Sequence, residues 1–86
     1  MKYRLKIESR AKKDIEALDS VAQKRIVKKL KFFLEQDDPL HFAKKLVDPI
    51  DGSYRFRIGH FRVVFDVKGE VIKLLKVQHR KDVYKK

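Results

Sequence analysis

The sequence contains no cysteine or tryptophan, only three glycines and two prolines, and no long apolar run. Without cysteine there can be no disulfide framework, thiolate nucleophile or cysteine-ligated zinc. A membrane span would need about 18 consecutive apolar residues, and a secretory signal would need an apolar stretch soon after Met1. Neither is found, so we expect a cytoplasmic protein that does not enter a membrane and is stabilised by packing.

Acidic residues are also scarce, because 23 Lys and Arg stand against 12 Asp and Glu, for a formal net charge of +11. The positive electrostatic field of such a chain attracts polyanions, here nucleic acid or an acidic protein partner. A solvated lysine-rich surface without a specific partner would carry the same charge. The 86 residues, 43% hydrophobic and 41% charged, predict one compact domain spanning residues 1–86.

The first half of the chain predicts a strand and two helices. Alternating residues over 3–7 indicate a half-buried strand. Ser9 is predicted to cap a short helix, and Ser20, with Gln23 three residues later, gives the capping-box pattern of a second helix. One apolar stripe at helical spacing runs down this second helix, formed by Ile26, Val27, Leu30, Phe33 and Leu34, and the pair Phe32-Phe33 is assigned to the core.

The second half predicts strands joined by tight turns. A short strand at 43–46 leads to a turn cluster at 48–53, after which three β-patterned runs follow, at 54–58, 61–67 and 71–77. The expected fold is α+β in the order β-α-α-(β)-β-β-β, in which the bracketed strand is the short one at 43–46, with a two-helix hairpin packed on a curved antiparallel sheet of about four strands. Because residues two apart in a strand project the same way, Arg55 and Arg57 should lie on the face that the helices leave open.

Several segments together resemble toxins of the RelE family, within the RelE/ParE superfamily. Residues 52–65, read GSYRFRIGHFRVVF, are similar to the central hairpin of these proteins. Residues 76–84, read KVQHRKDVY, are similar to their closing strand and C-terminal segment. With the strand-helix-helix opening, the resemblance extends over nearly the whole chain.

The resemblance implies the toxin of a type II toxin–antitoxin system, a ribosome-dependent messenger RNA endonuclease that uses no metal and no cofactor. The RNA's own 2′-hydroxyl attacks the adjacent phosphate, and the protein aligns the groups, moves protons and neutralises charge. Guanidinium groups suit the last task, because they bind phosphate oxygens bidentately and stay charged. We predict a catalytic set of Arg57, Arg62, Arg80, His79 and Tyr84, and RNA-binding roles for Arg55, Lys44, Lys45, His60 and Lys81.

The general base is the least determined member of this set. Arg55 and Arg57 stand where some relatives have lysine, and arginine is a poor base because it stays protonated. Imidazole titrates near neutral pH, so His79 is the predicted base and His60 the second choice. Tyr84 is expected to stack on a nucleobase or orient the phosphate. Structural roles for His79 and Tyr84, and a merely solvated arginine face, are the alternatives.

Two other functions use the same architecture. A ParE-like toxin would inhibit DNA gyrase without catalysing a reaction, and a passive RNA-binding module would use the sheet as a platform. The cationic cluster favours cleavage, and RNA-binding sheets usually display aromatic residues instead of arginines. The toxin readings imply a cognate antitoxin, with an acidic amphipathic segment, in a toxin–antitoxin hetero-oligomer; cleavage adds the ribosome and messenger RNA as partners.

Overall fold

The computed structural model describes residues 3–46 and 53–79. Its elements follow the predicted order, with one added 3₁₀ turn after the helices. They are β1 (Arg4–Ile7), α1 (Ser9–Glu16), α2 (Ser20–Leu34), the 3₁₀ turn (Pro39–Phe42), β2 (Lys44–Lys45), β3 (Tyr54–Ile58), β4 (Phe61–Lys68) and β5 (Val71–His79). The turn cluster predicted at 48–53 lies outside the described residues, except for Ser53.

The strands form one sheet in the order β1-β5-β4-β3-β2. Neighbours from β2 to β5 are antiparallel, whereas β1 runs parallel to β5, with Arg4 opposite Val71 and Ile7 opposite Leu74. The predicted α+β fold is confirmed, but the sheet is mixed and has one strand more than expected. A parallel pair needs a long connection, and here the rest of the domain separates β1 from β5.

Both hairpin turns fall between the predicted strands, and each contains a glycine. Gly59 and Gly69 have positive φ angles of 59° and 60°, and no other described residue has a positive φ. The pairs Ile58–Phe61 and Lys68–Val71 close two-residue loops around them. Glycine at the first loop position is what a type II′ turn requires, and this turn matches the twist of antiparallel strands.

Strand β5 contains one residue more than the stretch of β4 beside it. Val64 pairs with Lys76, but the next residue, Phe65, pairs with Leu74. Leu75 is therefore an extra residue that forms a β-bulge. The sequence prediction treated this run as regular and missed the bulge.

The helix starts also differ from the prediction. Ser9 and Ser20, predicted as caps, are the first helical residues. The N-cap of α2 is Asp19, whose carboxylate accepts a 2.8 Å hydrogen bond from a backbone N–H of the first turn. The Gln23 side chain does not complete a capping box; its amide donates to the backbone carbonyl of Leu18 at 2.8 Å and so joins the two helices.

The hydrophobic core lies between the helices and one face of the sheet. Phe33 of α2 stacks on Phe56 of β3 with ring centroids 4.5 Å apart, and Phe56 stacks on Phe65 of β4, also at 4.5 Å. Phe56 and Phe65 are fully buried. This aromatic stack ties the second helix to the two middle strands.

The assignment of α2 core residues was correct in part. Ile26, Leu30 and Phe33 are buried, whereas Val27 and Phe32 are 43% and 45% exposed. The core-facing stripe is thus narrower than predicted, and Phe32 was assigned wrongly. Residues adjacent in a helix point about 100° apart, so Phe32 and Phe33 cannot both face the sheet.

Candidate active site on the open face of the sheet

The two faces of the sheet have different surroundings. The face that carries Phe56, Val63 and Leu74 packs on the helices, and these residues are fully buried. The alternate residues of the same strands project to the other side, which we call the open face. Its described residues are largely basic: Arg4, Lys6, Lys44, Arg55, Arg57, Arg62, Val64, Asp66, Lys68, Val71, Lys73, Lys76 and Gln78.

Four of these cations surround a single valine. Arg55 on β3 and Lys76 on β5 lie directly opposite Val64 on β4, one on each side. Arg62 precedes Val64 by two residues and lies directly opposite Arg57. We call Arg55, Arg57, Arg62 and Lys76, with Val64 between them, the cationic patch.

Val64 forms the floor of this patch. It is fully buried, yet it does not belong to the core cluster under the helices. Its direct cross-strand neighbours on the open face are the long side chains of Arg55 and Lys76. Arginine and lysine cover apolar surface with their aliphatic stems while their charged ends remain near solvent. An apolar floor with a cationic rim is the consequence.

Arg62 is the most unusual member of the patch. Its Nε atom is the buried side-chain nitrogen or oxygen that has no hydrogen-bond partner among the described residues. Its direct neighbour Arg57 has the same charge, and like charges opposite one another destabilise a sheet. A bound anion would neutralise the pair, and a small shift of the Arg62 side chain would let the same anion accept the Nε–H.

One carboxylate shares the open face but lies apart from the arginine pair. Asp66 lies opposite Lys73, four residues along β4 from Arg62. Its Oδ1 atom accepts a 2.8 Å hydrogen bond from the backbone N–H of Ser53. Asp66 therefore anchors the start of β3 and does not lie beside Arg57 or Arg62.

The two histidines predicted for the site lie away from the open face. His79 pairs with Phe61, and their rings contact at 5.2 Å between centroids, on the face that packs on the helices. His60 lies in the β3–β4 turn, with its ring stacked 6.1 Å from that of His79. The structure thus brings His60 and His79 together and separates His79 from Arg57 and Arg62.

The remaining predicted site residues are distributed as follows. Lys44 lies opposite Arg55 on the open face, whereas Lys45 lies opposite Tyr54, and both lysines are exposed. Arg80, Lys81 and Tyr84 lie outside the described residues.

Within the described ranges, no group of His, Asp and Glu side chains could hold a metal ion. None of the described helices is long and apolar enough to cross a membrane.

Lys76 is the patch residue that sequence reasoning missed. Strict alternation from Ile72 and Leu74 would direct it toward the helices, but the bulge at Leu75 reverses the alternation and returns Val77 to the core. The sequence did contain a sign of the bulge: two adjacent leucines, Leu74 and Leu75, interrupt the alternation before it resumes in the polar-apolar-polar run at 76–78.

Comparison with known proteins places this architecture in a family. Residues 5–84 match the sequence model of the ParE toxin of the type II toxin–antitoxin system parDE. A search of curated protein sequences found no match. The family match covers the helices, the sheet and the cationic patch.

Solved structures share the fold over nearly their full length. The RelE–RelB complex of the archaeon Pyrococcus horikoshii OT3 is 30% identical, with a TM-score of 0.71 over 93% of this chain and 97% of that one. The RelBE2 toxin–antitoxin complex of Mycobacterium tuberculosis is 22% identical, with a TM-score of 0.77 over 93% and 100%. The RelB–RelE complex of Methanococcus jannaschii is 23% identical, with a TM-score of 0.71 over 92% and 94%. The chain therefore belongs to the RelE/ParE superfamily of type II toxin–antitoxin toxins.

Proposed function

We propose that this toxin is a ribosome-dependent messenger RNA endonuclease and inhibits translation by cutting the transcript. The observation that carries the proposal is the cationic patch, above all the buried Nε of Arg62, which has no partner within residues 3–46 and 53–79. A phosphodiester is an anion of the right size to bridge Arg62 and Arg57 across two strands. RNA has in addition a 2′-hydroxyl beside each phosphate, so a phosphate-binding site alone can direct the attack without a metal.

In the proposed reaction the 2′-oxygen bonds to phosphorus and the bond to the 5′-oxygen breaks. Negative charge builds up on the phosphate oxygens as the five-coordinate transition state forms. Arg57 and Arg62 bind those oxygens and stabilise that charge more than the charge of the ground state. Arg55 and Lys44 attract the RNA backbone from the edge of the patch. Arg80 and Tyr84 keep the phosphate-clamping and orienting roles that the family resemblance implies for them.

His79 is the predicted general base, and its position on the helix-packed face gives this role no support. We therefore expect His79→Ala to keep the pH dependence of single-turnover cleavage that the parent shows, with the 2′-hydroxyl proton leaving to solvent. The variant removes the ring contact with Phe61, so its folding is checked by circular dichroism. Loss of a rate step that titrates in the histidine range would instead restore His79 as the base.

The second candidate is gyrase inhibition, which the match to the ParE family model favours. A non-enzymatic inhibitor has no need of a phosphate clamp in which two arginines face each other and the buried Nε of one has no partner among the described residues. The patch therefore favours cleavage over gyrase binding. A passive RNA-binding module is a weaker candidate, because the open face presents no described aromatic side chain for base stacking.

Induced expression in a bacterial host separates the candidates. We expect growth arrest with new transcript 5′ ends inside reading frames that are being translated, and an Arg62→Ala variant should produce far fewer of them. Plasmid supercoiling should stay as in uninduced cells. Intact transcripts together with altered supercoiling would establish the gyrase function and end the RNA-cleavage proposal.

We also propose that a cognate antitoxin binds this chain, as RelB binds the toxins of the three solved complexes. A groove of about 370 Å³ between the helices has Ile15 and Val27 in its lining and Lys24, Lys28 and Lys31 around them. An acidic amphipathic segment would match such a surface. Co-purification with the product of the neighbouring gene, and loss of toxicity on co-expression, test this partner.

A further inference from the structure

The bulge at Leu75 decides which side of the sheet Lys76 occupies. The strand backbone is fixed on both sides of the bulge by α1 and by the residue that precedes it. The N–H of Glu8 donates to the carbonyl of Leu74 at 3.0 Å, and the N–H of Val77 donates to a carboxylate oxygen of Asp14 at 2.9 Å. These two hydrogen bonds hold the β-bulge in place, and the bulge directs Lys76 to the open face. Bulges next to active sites often change the direction of a side chain in this way.

Lys76 and Arg55 flank the same point from opposite sides. Both lie directly opposite Val64, so two strand spacings, about 10 Å, separate their backbones. Their side chains are long enough to reach a phosphate above Val64. In-line displacement places the attacking and leaving oxygens on opposite sides of phosphorus. A phosphate bound there, and clamped by Arg62, can direct its leaving oxygen toward β5.

Arg55 and Lys76, which flank the phosphate position from opposite sides, differ in their acid–base chemistry. An arginine stays protonated and serves as a charge, whereas a lysine ammonium can give up a proton. Of the patch residues, Lys76 is the one that can act as a proton donor. The departing 5′-oxygen needs a proton, because an alkoxide is a poor leaving group.

We propose that Lys76 is the general acid of the cleavage reaction, an inference that rests on the proposed nuclease function. The 2′-oxygen bonds to phosphorus while its proton passes to solvent water. The phosphorus–5′-oxygen bond breaks, and the Lys76 ammonium donates one proton to that oxygen and regains it from solvent. The products are a 2′,3′-cyclic phosphate and a 5′-hydroxyl.

A substrate with sulfur at the 5′ bridging position tests this role directly, because a thiolate leaves without protonation. Synthetic messenger RNA with one such linkage, and its oxygen counterpart, are bound to programmed ribosomes, and single-turnover cleavage is measured. On the oxygen substrate we expect Lys76→Gln to lose about 10²-fold, the lower end of general acid contributions. On the sulfur substrate the variant should match the parent.

Two further variants make the result specific. Lys76→Arg keeps the charge without an available proton, so it should be slow on oxygen and normal on sulfur. Lys73→Gln, on the same strand and face but opposite Asp66 and outside the patch, should behave as the parent on both. Equal losses on both substrates, full activity of Lys76→Arg on oxygen, or no loss in Lys76→Gln would each overturn the assignment. If the parent protein cleaves neither substrate, the proposed function itself fails.

Discussion

Arg62→Ala is expected to slow cleavage of ribosome-bound messenger RNA by about 10²- to 10³-fold, the usual effect of removing one donor from a preorganised electrostatic site. The guanidinium already lies on the patch beside Arg57, and its buried Nε has no partner among the described residues, so a small shift of the side chain brings its N–H groups to the phosphate. That interaction strengthens as charge develops on the phosphate oxygens. Binding to the ribosome should therefore weaken far less than the cleavage rate.

The measurement is single-turnover cleavage on programmed ribosomes, with sedimentation to determine ribosome affinity. Arg4→Ala is the matched control, because it removes the same charge from the same face but on the edge strand β1, two strands away from β4 and outside the patch. Its cleavage rate should stay close to that of the parent. If affinity and rate fall together in Arg62→Ala, Arg62 serves docking and the catalytic assignment is wrong.

Phe56→Ala is expected to lower the free energy of unfolding by about 3–5 kcal/mol, as for other buried Phe to Ala replacements. Phe56 is fully buried in the middle of the aromatic stack, 4.5 Å from the rings of Phe33 and Phe65. The cavity would open between α2 and the two strands that carry the arginines. Small domains have total stabilities of roughly 5–15 kcal/mol, so the loss is a large share of the whole.

Urea unfolding of the purified chain gives this number, with Phe32→Ala as the control. Phe32 is adjacent in the helix to Phe33 but is 45% exposed, so its truncation should cost much less. If Phe56→Ala does not fold at all, Phe56→Leu keeps most of the apolar volume and should show a smaller, measurable loss. Equal costs for Phe32→Ala and Phe56→Ala would show that the stack does not carry the stability assigned to it.

Much of the architecture follows from local patterns that a single sequence contains. Glycine alone adopts the positive φ of the hairpin turns without strain, so Gly59 and Gly69 located both turns. With the turns fixed, the alternation of Phe56 with Arg55 and Arg57 determined which side chains face the helices. The open arginine face could therefore be predicted before any tertiary contact was known.

The remaining features depend on contacts between distant parts of the chain. Several polar residues around the break between the helices can cap α2, and only the path of the chain selects Asp19 over Ser20. The parallel pairing of β1 with β5 joins the two ends of the domain and leaves no local signal. The position of His79 beside Phe61 depends on the register that the bulge sets.

The bulge also has a consequence for comparing relatives. A homologue with a regular strand in place of β5 would have one residue fewer before its own equivalent of Lys76. An ungapped alignment would then match core positions of one protein with open-face positions of the other from Leu75 onward. A one-residue gap at Leu75 restores the correspondence. Whether a toxin of this superfamily has a basic residue at the site of Lys76 can therefore be decided only after the strand phase of each sequence has been established.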